Sequence, residues 1–225
     1  MLNKESIYLG LNKPILSKYV NLFNKRILNI FKHKQIKSFW NNLKTFIIDL
    51  INFDKDSFLN NLIVFMYKSW PNKNPDKICY LIELIEAIFI NMNEDNNKKD
   101  NKNILFNCIY FVKLSNKIIN SITNLNVVVA DKTLILFKHD ELLNFFIDDC
   151  KLINVLLTKL IENIKNHWSD EIKSISKLVL SKIKNNKPEC LSQCNEEVIK
   201  YINSIQFSQD NEYLWDLIKY ELKAD

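Results

Sequence analysis

Glycine is almost missing from this chain of 225 residues, where Gly10 stands alone. Phosphate-cradling loops and two-residue hairpin turns use glycine where the backbone takes positive φ or runs close to a ligand, so a glycine-rich nucleotide site is excluded. Proline is scarce too, at four residues, and a chain this poor in breakers reads as mostly helical. Arginine is reduced to Arg26 against 30 lysines. Base and phosphate recognition favours the planar guanidinium, so the net charge of +5 and pI near 8.8 do not imply a nucleic-acid partner. The lysines are spread along the chain and, with abundant asparagine and isoleucine, reflect A- and T-rich codon usage rather than a selected basic surface.

Long apolar runs are missing as well. The most apolar stretch, YLIELIEAIFI over 80–90, is interrupted by Glu83 and Glu86, and a membrane helix needs about 18 uninterrupted residues. The N-terminus lacks the apolar core of a signal peptide, so a soluble chain without a membrane partner is expected. The five cysteines, at 79, 108, 150, 190 and 194, are an odd number in a chain able to build its own core, which points to free thiols and a cytoplasmic or nuclear setting. Cys190 and Cys194 with His167 upstream lack the second pair that a zinc site requires, and no metal or cofactor is expected.

What is present is helical periodicity. Leu152, Ile153, Leu156, Leu157, Leu160, Ile161 and Ile164 recur at three- and four-residue intervals. Trp168, Ile172, Ile175, Leu178, Val179 and Ile183 repeat the pattern after Lys165, Asn166 and His167, so two helices meet there at a short turn. Similar stripes cover 15–32, 38–52, 57–69, 77–92, 103–123 and 127–147, with closing helices at 190–206 and 210–223, the last N-capped by Asp210. The valines 127–129 have no second β-branched segment to pair with and are read as helix. Helix pairs repeating at a period near 40 describe an all-α solenoid of the HEAT or armadillo kind, one domain over 1–225 with a polar insertion at 91–103.

Converging catalytic groups are not apparent. His33, His139 and His167 sit in no metal-binding or nucleophile spacing and are assigned structural roles. Asp148 and Asp149 are neighbours, and on a helix neighbours point about 100° apart, so capping or surface charge is the expected use. Trp40, Trp70, Trp168 and Trp215 each sit beside aliphatic residues and are read as core.

Three segments carry a resemblance to a known family. In MYKSWPNKNPDKICYLIELIE, Lys68, Trp70 and Pro71 are followed by Tyr80, Leu81, Glu83, Leu84 and Glu86. In VADKTLILFKHDE, Val129, Ala130, Leu134 and Glu141 stand in order, with Asp131 and Lys132 between and Phe137 and Asp140 further on. The third is the pair His167 and Trp168, with Cys194 downstream. Together these resemble the B-prime regulatory subunit family of protein phosphatase 2A, with its Lys-x-Trp-Pro and Phe/Tyr-Leu-x-Glu-Leu-x-Glu elements, its Val-Ala-Glu-Arg-Ala-Leu-x-x-Trp-x-Asn-Glu segment and its Thr-His-Trp-Asn turn. Phe137 replaces the tryptophan and Asp140 the asparagine.

The resemblance runs from about residue 6 to the C-terminus and implies a HEAT-like solenoid without catalytic residues. Members of that family bind the scaffold and catalytic subunits and direct the holoenzyme to phosphoprotein substrates in signal transduction. Ser6, Ile7, Gly10 and Pro14 resemble a stretch near the middle of family members, which implies that the N-terminal repeats are absent. The family captures a Leu-x-x-Ile-x-Glu motif in a groove; Ile7 matches a groove-lining isoleucine and Tyr19 falls at a histidine, while no arginine here matches those that hold the acidic residue. Weakened capture is therefore expected. A helical-repeat adaptor without phosphatase association is the alternative.

Overall fold

A computed structural model describes residues 18, 20–94, 109–186, 188–191 and 196–205, and among these no residue is in a strand. The chain forms two compact units, one of Met1–Ser69 with Asn91–Phe111 and one of Trp70–Ile90 with Val112–Asp225. Both are built from helices that fold back on their neighbours, the all-α class that the periodicity implies.

In the first unit a π-helical turn, Phe23–Ile27, continues into Leu28–Ile30, and a 3₁₀ turn, Ile36–Phe39, leads into α1 (Trp40–Phe53) and α2 (Lys55–Lys68). The stripe Trp40, Leu43, Ile47 and Ile51 is the buried face of α1. Phe58, Leu59, Leu62, Ile63 and Met66 are the buried face of α2. Each side chain removed from water on these faces stabilises the unit by about 1.5–3 kcal/mol. Aromatic rings tie the N-terminal segment to both helices: Phe23 meets Phe58 edge-on at 5.2 Å, and Phe31 lies 5.8 Å from Trp40 and 5.4 Å from Phe65.

The described residues contain no glycine and must turn by other means, using single extended residues with capping side chains. Asp54 (φ −151°, ψ 94°) separates α1 from α2, and its carboxylate accepts from Ser57 N–H at 3.2 Å. Asp149 (φ −99°, ψ 110°) does the same between α6 (Asp140–Asp148) and α7 (Cys150–Asn166), accepting from Lys151 N–H at 2.8 Å and Leu152 N–H at 3.1 Å. The capping role read for the Asp148–Asp149 pair thus falls to Asp149. Among the described residues no φ is positive.

The second unit contains α3 (Pro75–Glu94) up to Ile90, α4 (Ile109–Ser121) from Val112, α5 (Val127–Ile135), a 3₁₀ turn Leu136–Lys138, α6, α7, α8 (Asp170–Asn186), a short turn of helix Pro188–Leu191, and α9 (Glu196–Ser204). The turn His167–Ser169 folds α8 back along α7, while α5 packs on α8 and α6 on α7. Leu152, Leu156, Leu157 and Leu160 of α7 and Ile172, Val179, Leu180 and Ile183 of α8 are buried in this layer. Asn163, also buried, donates to Ile122 O at 3.0 Å and to Ser176 Oγ at 3.2 Å, pinning the loop after α4 to both helices.

Three boundaries differ from the sequence expectation. The helix expected over 127–147 is two helices, because the chain passes through the 3₁₀ turn and an extended His139 (φ −79°, ψ 114°). The helix expected over 77–92 runs to Glu94, so the start of the polar stretch 91–103 is helical. The segment 15–32 contains the π turn rather than a regular helix where it is described. The closing helix expected over 210–223 lies outside the described residues.

Candidate functional site

From Trp70 onward, the described residues of the three sequence segments singled out above meet in the second unit. Trp70 is buried and Pro71 half-buried just before α3, where Pro71 ends helical continuation. Lys68 is exposed at the end of α2, in the first unit. Asn74 then caps α3, its side chain accepting from Lys77 N–H at 3.1 Å, with Pro75 at the first helical position. Helical spacing buries Leu81 and Leu84 and brings Glu83 and Glu86, three apart, onto one half-buried face with Tyr80 beside them. Burial and then the neighbouring Asp76 and Glu83 charges raise the Tyr80 phenol.

The partners of that face come from the segment 124–140. Asn126 caps α5 by accepting from Val129 N–H at 3.4 Å, and Val129 and Ala130 are fully buried. This puts Lys132 onto Glu83 as an ion pair. Burial, the largest single influence, would lower the Lys132 ammonium, but the Glu83 hydrogen bond together with the Glu83, Cys79 and Glu86 charges outweighs it and raises the group. Beyond the helix break, Glu86 Oε1 receives Lys138 Nζ at 2.9 Å and His139 Nε2 at 3.0 Å. Burial works to raise the Glu86 carboxyl, yet these two donors overcome it and hold the group at about 2. Lys182 on α8 completes the junction: its ammonium donates to Lys138 O at 2.6 Å and pairs with Asp140 at 2.8 Å, satisfying a carbonyl that the break leaves without a helical partner.

The third segment grips the start of the same stretch. His167 is buried, with Nε2 3.2 Å from Asn124 O and Nδ1 accepting from Ser169 N–H at 3.1 Å, so it is the satisfied structural histidine that the sequence reading expects. Trp168 overturns its assignment to the core, because it is 67% exposed. Its indole N–H donates to Leu125 O at 3.1 Å and the ring stacks on His167 at 6.0 Å, which holds it flat on the loop instead of in the interior. Leu125, 78% exposed, is the loop residue whose carbonyl Trp168 holds, and Val128, 56% exposed, lies in the first turn of the helix that follows. Sequence reading misses these two, since a helical stripe does not distinguish an interior face from an uncovered end.

The chemistry of this arrangement is positional. Its charges are spent on one another, and burial, its main cause, raises the Cys79 thiol and so suppresses the thiolate a nucleophile would need. Among the described residues no group of three His, Cys, Asp or Glu could hold a metal ion. No described helix is long and apolar enough to cross a membrane. Ile7 and Tyr19 lie outside the described residues, as does the side chain of Glu141.

Comparison with known proteins agrees with the three segments. The family model for the protein phosphatase 2A regulatory B subunit (B56 family) matches residues 4–221. A curated relative, the B′ delta isoform of the 55 kDa regulatory subunit of serine/threonine protein phosphatase 2A from Arabidopsis thaliana, is 22% identical over 191 residues, which is 84% of this chain. The chain spans only 38% of the length of that relative. It belongs to the B56 family of protein phosphatase 2A regulatory B subunits.

Proposed function

We propose that this chain is a non-catalytic regulatory subunit that binds the scaffold and catalytic subunits of protein phosphatase 2A and influences which phosphoserine and phosphothreonine substrates the assembly meets. The observation that carries this reading is the family match over residues 4–221. The helical platform supports it, because its charged groups serve to fix helices against one another and leave an uncovered apolar edge at Trp168, Leu125 and Val128, of the kind that protein interfaces use. The Cys79 thiol, in no disulfide, fits work in the reducing cytoplasm or nucleus.

The test is reconstitution. Purified full-length chain is mixed with the scaffold–catalytic core of the phosphatase and run on size exclusion, and a stable ternary peak is expected. Failure to co-elute at micromolar concentration would overturn the reading. It would favour an adaptor that keeps the helical fold without the phosphatase.

A further inference from the structure

Positive charge is concentrated near the start of the sequence. Residues 6–48 contain eight lysines and arginines and no aspartate or glutamate, more than the net +5 of the whole chain, so the remainder is net negative. In the first unit this charge lines an open cleft of about 810 Å³, with Lys25, Arg26, Lys32 and His33 around it and Ile30 and Phe39 as its apolar part. That volume lies within the range of about 300–1,000 Å³ typical of small-molecule sites.

The charged groups of this cleft are all donors. Lysine and arginine carry no acceptor, and no carboxylate lines the cleft. Gln35 N–H donates to His33 Nδ1 at 3.2 Å, so the neutral imidazole keeps its proton on Nε2 and is a donor there too. Among the described residues neither Lys25 nor Arg26 meets a carboxylate. Both lie inside the π-helical turn, where Leu28 N–H reaches back to Phe23 O in an i to i+5 bond, and such turns are rare and frequent at functional sites. Phe39 is engaged with His33 at 6.2 Å, which leaves it a wall rather than a platform for stacked bases.

A carboxylate brings one charge and two oxygens, whereas a phosphate monoester brings up to two charges and three oxygens. Donors gathered this closely are therefore matched best by neighbouring phosphates on one small skeleton. We propose that this cleft binds a small molecule carrying two or more adjacent phosphates. Arg26, the one guanidinium in the protein, takes one phosphate through its fork, Lys25 and Lys32 neutralise the next, and Ile30 and Phe39 lie against the carbon skeleton between them. A soluble inositol polyphosphate and the headgroup of a polyphosphoinositide lipid share this chemistry. Such binding is independent of association with the phosphatase, because it uses only this unit's own side chains.

The test is isothermal titration calorimetry of the full chain with inositol hexakisphosphate, with citrate and with single-stranded RNA, beside co-sedimentation with vesicles of phosphatidylserine with or without phosphatidylinositol bisphosphate. Saturable binding of the inositol phosphate at a single site is expected, weakening as salt is raised. The double substitution Lys25→Ala and Arg26→Ala should cost about tenfold in affinity. Arg26→Lys, which keeps the charge and loses the fork, should cost about threefold. Lys151→Ala with Lys177→Ala, exposed lysines of the other unit, should leave binding within about twofold. Sedimentation that requires the bisphosphate lipid and fails in the Lys25, Arg26 double variant would assign the site to a headgroup, and calorimetric binding without sedimentation would assign it to a soluble ligand. Equal loss in both double variants, citrate or RNA binding as tightly as the inositol phosphate, or no saturable binding of either phosphate probe would overturn the proposal. All the substituted residues are exposed, and circular dichroism of each variant verifies the fold.

Discussion

Replacing Glu86 by glutamine tests whether charge, rather than shape, fixes α3 to the broken segment between α5 and α6. Glutamine keeps an oxygen acceptor near Lys138 and His139 but loses the negative charge. The carboxyl sits at about 2 instead of 4.5, and at 1.36 kcal/mol per pKa unit the folded state prefers the ionised form by at most about 3.4 kcal/mol. The side chain is a quarter exposed, so solvent screening lowers the expected loss to about 1–2.5 kcal/mol. Since the folded-state pKa is depressed, this contribution is fully present above about pH 4.5 and is lost as the pH falls toward 2. Urea unfolding followed by circular dichroism at about pH 6 should therefore show a lower midpoint for Glu86→Gln with an unchanged slope. The gap between wild type and variant should shrink to about 0.4 kcal/mol by about pH 2, where the wild-type carboxyl is half protonated in the folded state and almost wholly protonated in the unfolded one. A gap that stays constant across that range, or one below about 0.5 kcal/mol at about pH 6, would refute the electrostatic account and leave Glu86 a packing residue.

Other substitutions separate the structural devices. Asn163→Ala removes the amide that joins Ile122 O and Ser176 Oγ in the interior and should cost about 2–3 kcal/mol in urea unfolding, with no rescue by Asn163→Leu, since the carbonyl would stay unpaired. Asp149→Ala deletes a cap with two backbone donors and should cost about 1 kcal/mol, while Asp149→Asn or Asp149→Ser should recover most of it by the same measurement. Trp168→Ala should lower stability by no more than about 1 kcal/mol, the value of one exposed hydrogen bond, against the 3–5 kcal/mol of a core tryptophan. The same variant should weaken co-elution with the phosphatase core if the edge at Leu125 and Val128 meets a partner, and unaltered co-elution would place the interface elsewhere.

The legible part of this fold was the part written in local pattern. The stripes over 150–166 and 170–186, the helical reading of the valines at 127–129 and the capping use of Asp149 all depend on residues within one or two turns of each other. The helix break at 136–139 could not be read that way, because no glycine or proline marks it and its apolar spacing runs on through Leu134, Ile135, Phe137 and Leu142. What stabilises the break comes from far along the chain: Glu86 draws Lys138 and His139 to one side, and Lys182 covers the freed carbonyl from the other. Trp168 is missed for the same reason, since the carbonyl that holds it outside belongs to Leu125, 43 residues earlier. The Lys25–Arg26 turn escaped notice differently, because lysines scored over the whole chain hide a stretch that has no acid at all.

These misses share a physical cause that bears on function. A single helix pair cannot present a surface of its own, since its apolar face is consumed by its neighbour, so recognition must be placed at junctions and ends. The motif residues obey this rule: Glu83, Glu86 and His167 are spent on holding the segment 124–140 in place, and what that segment and its turn expose is Leu125, Val128 and Trp168. A substitution that loosens the Glu86 junction should therefore disturb the presentation of Trp168 without touching it. Tryptophan fluorescence of Glu86→Gln would register that as a shift, provided the background from the other tryptophans is removed by comparison with the double variant Glu86→Gln, Trp168→Phe. An emission change that persists equally in the double variant would show that the junction and the exposed edge are independent.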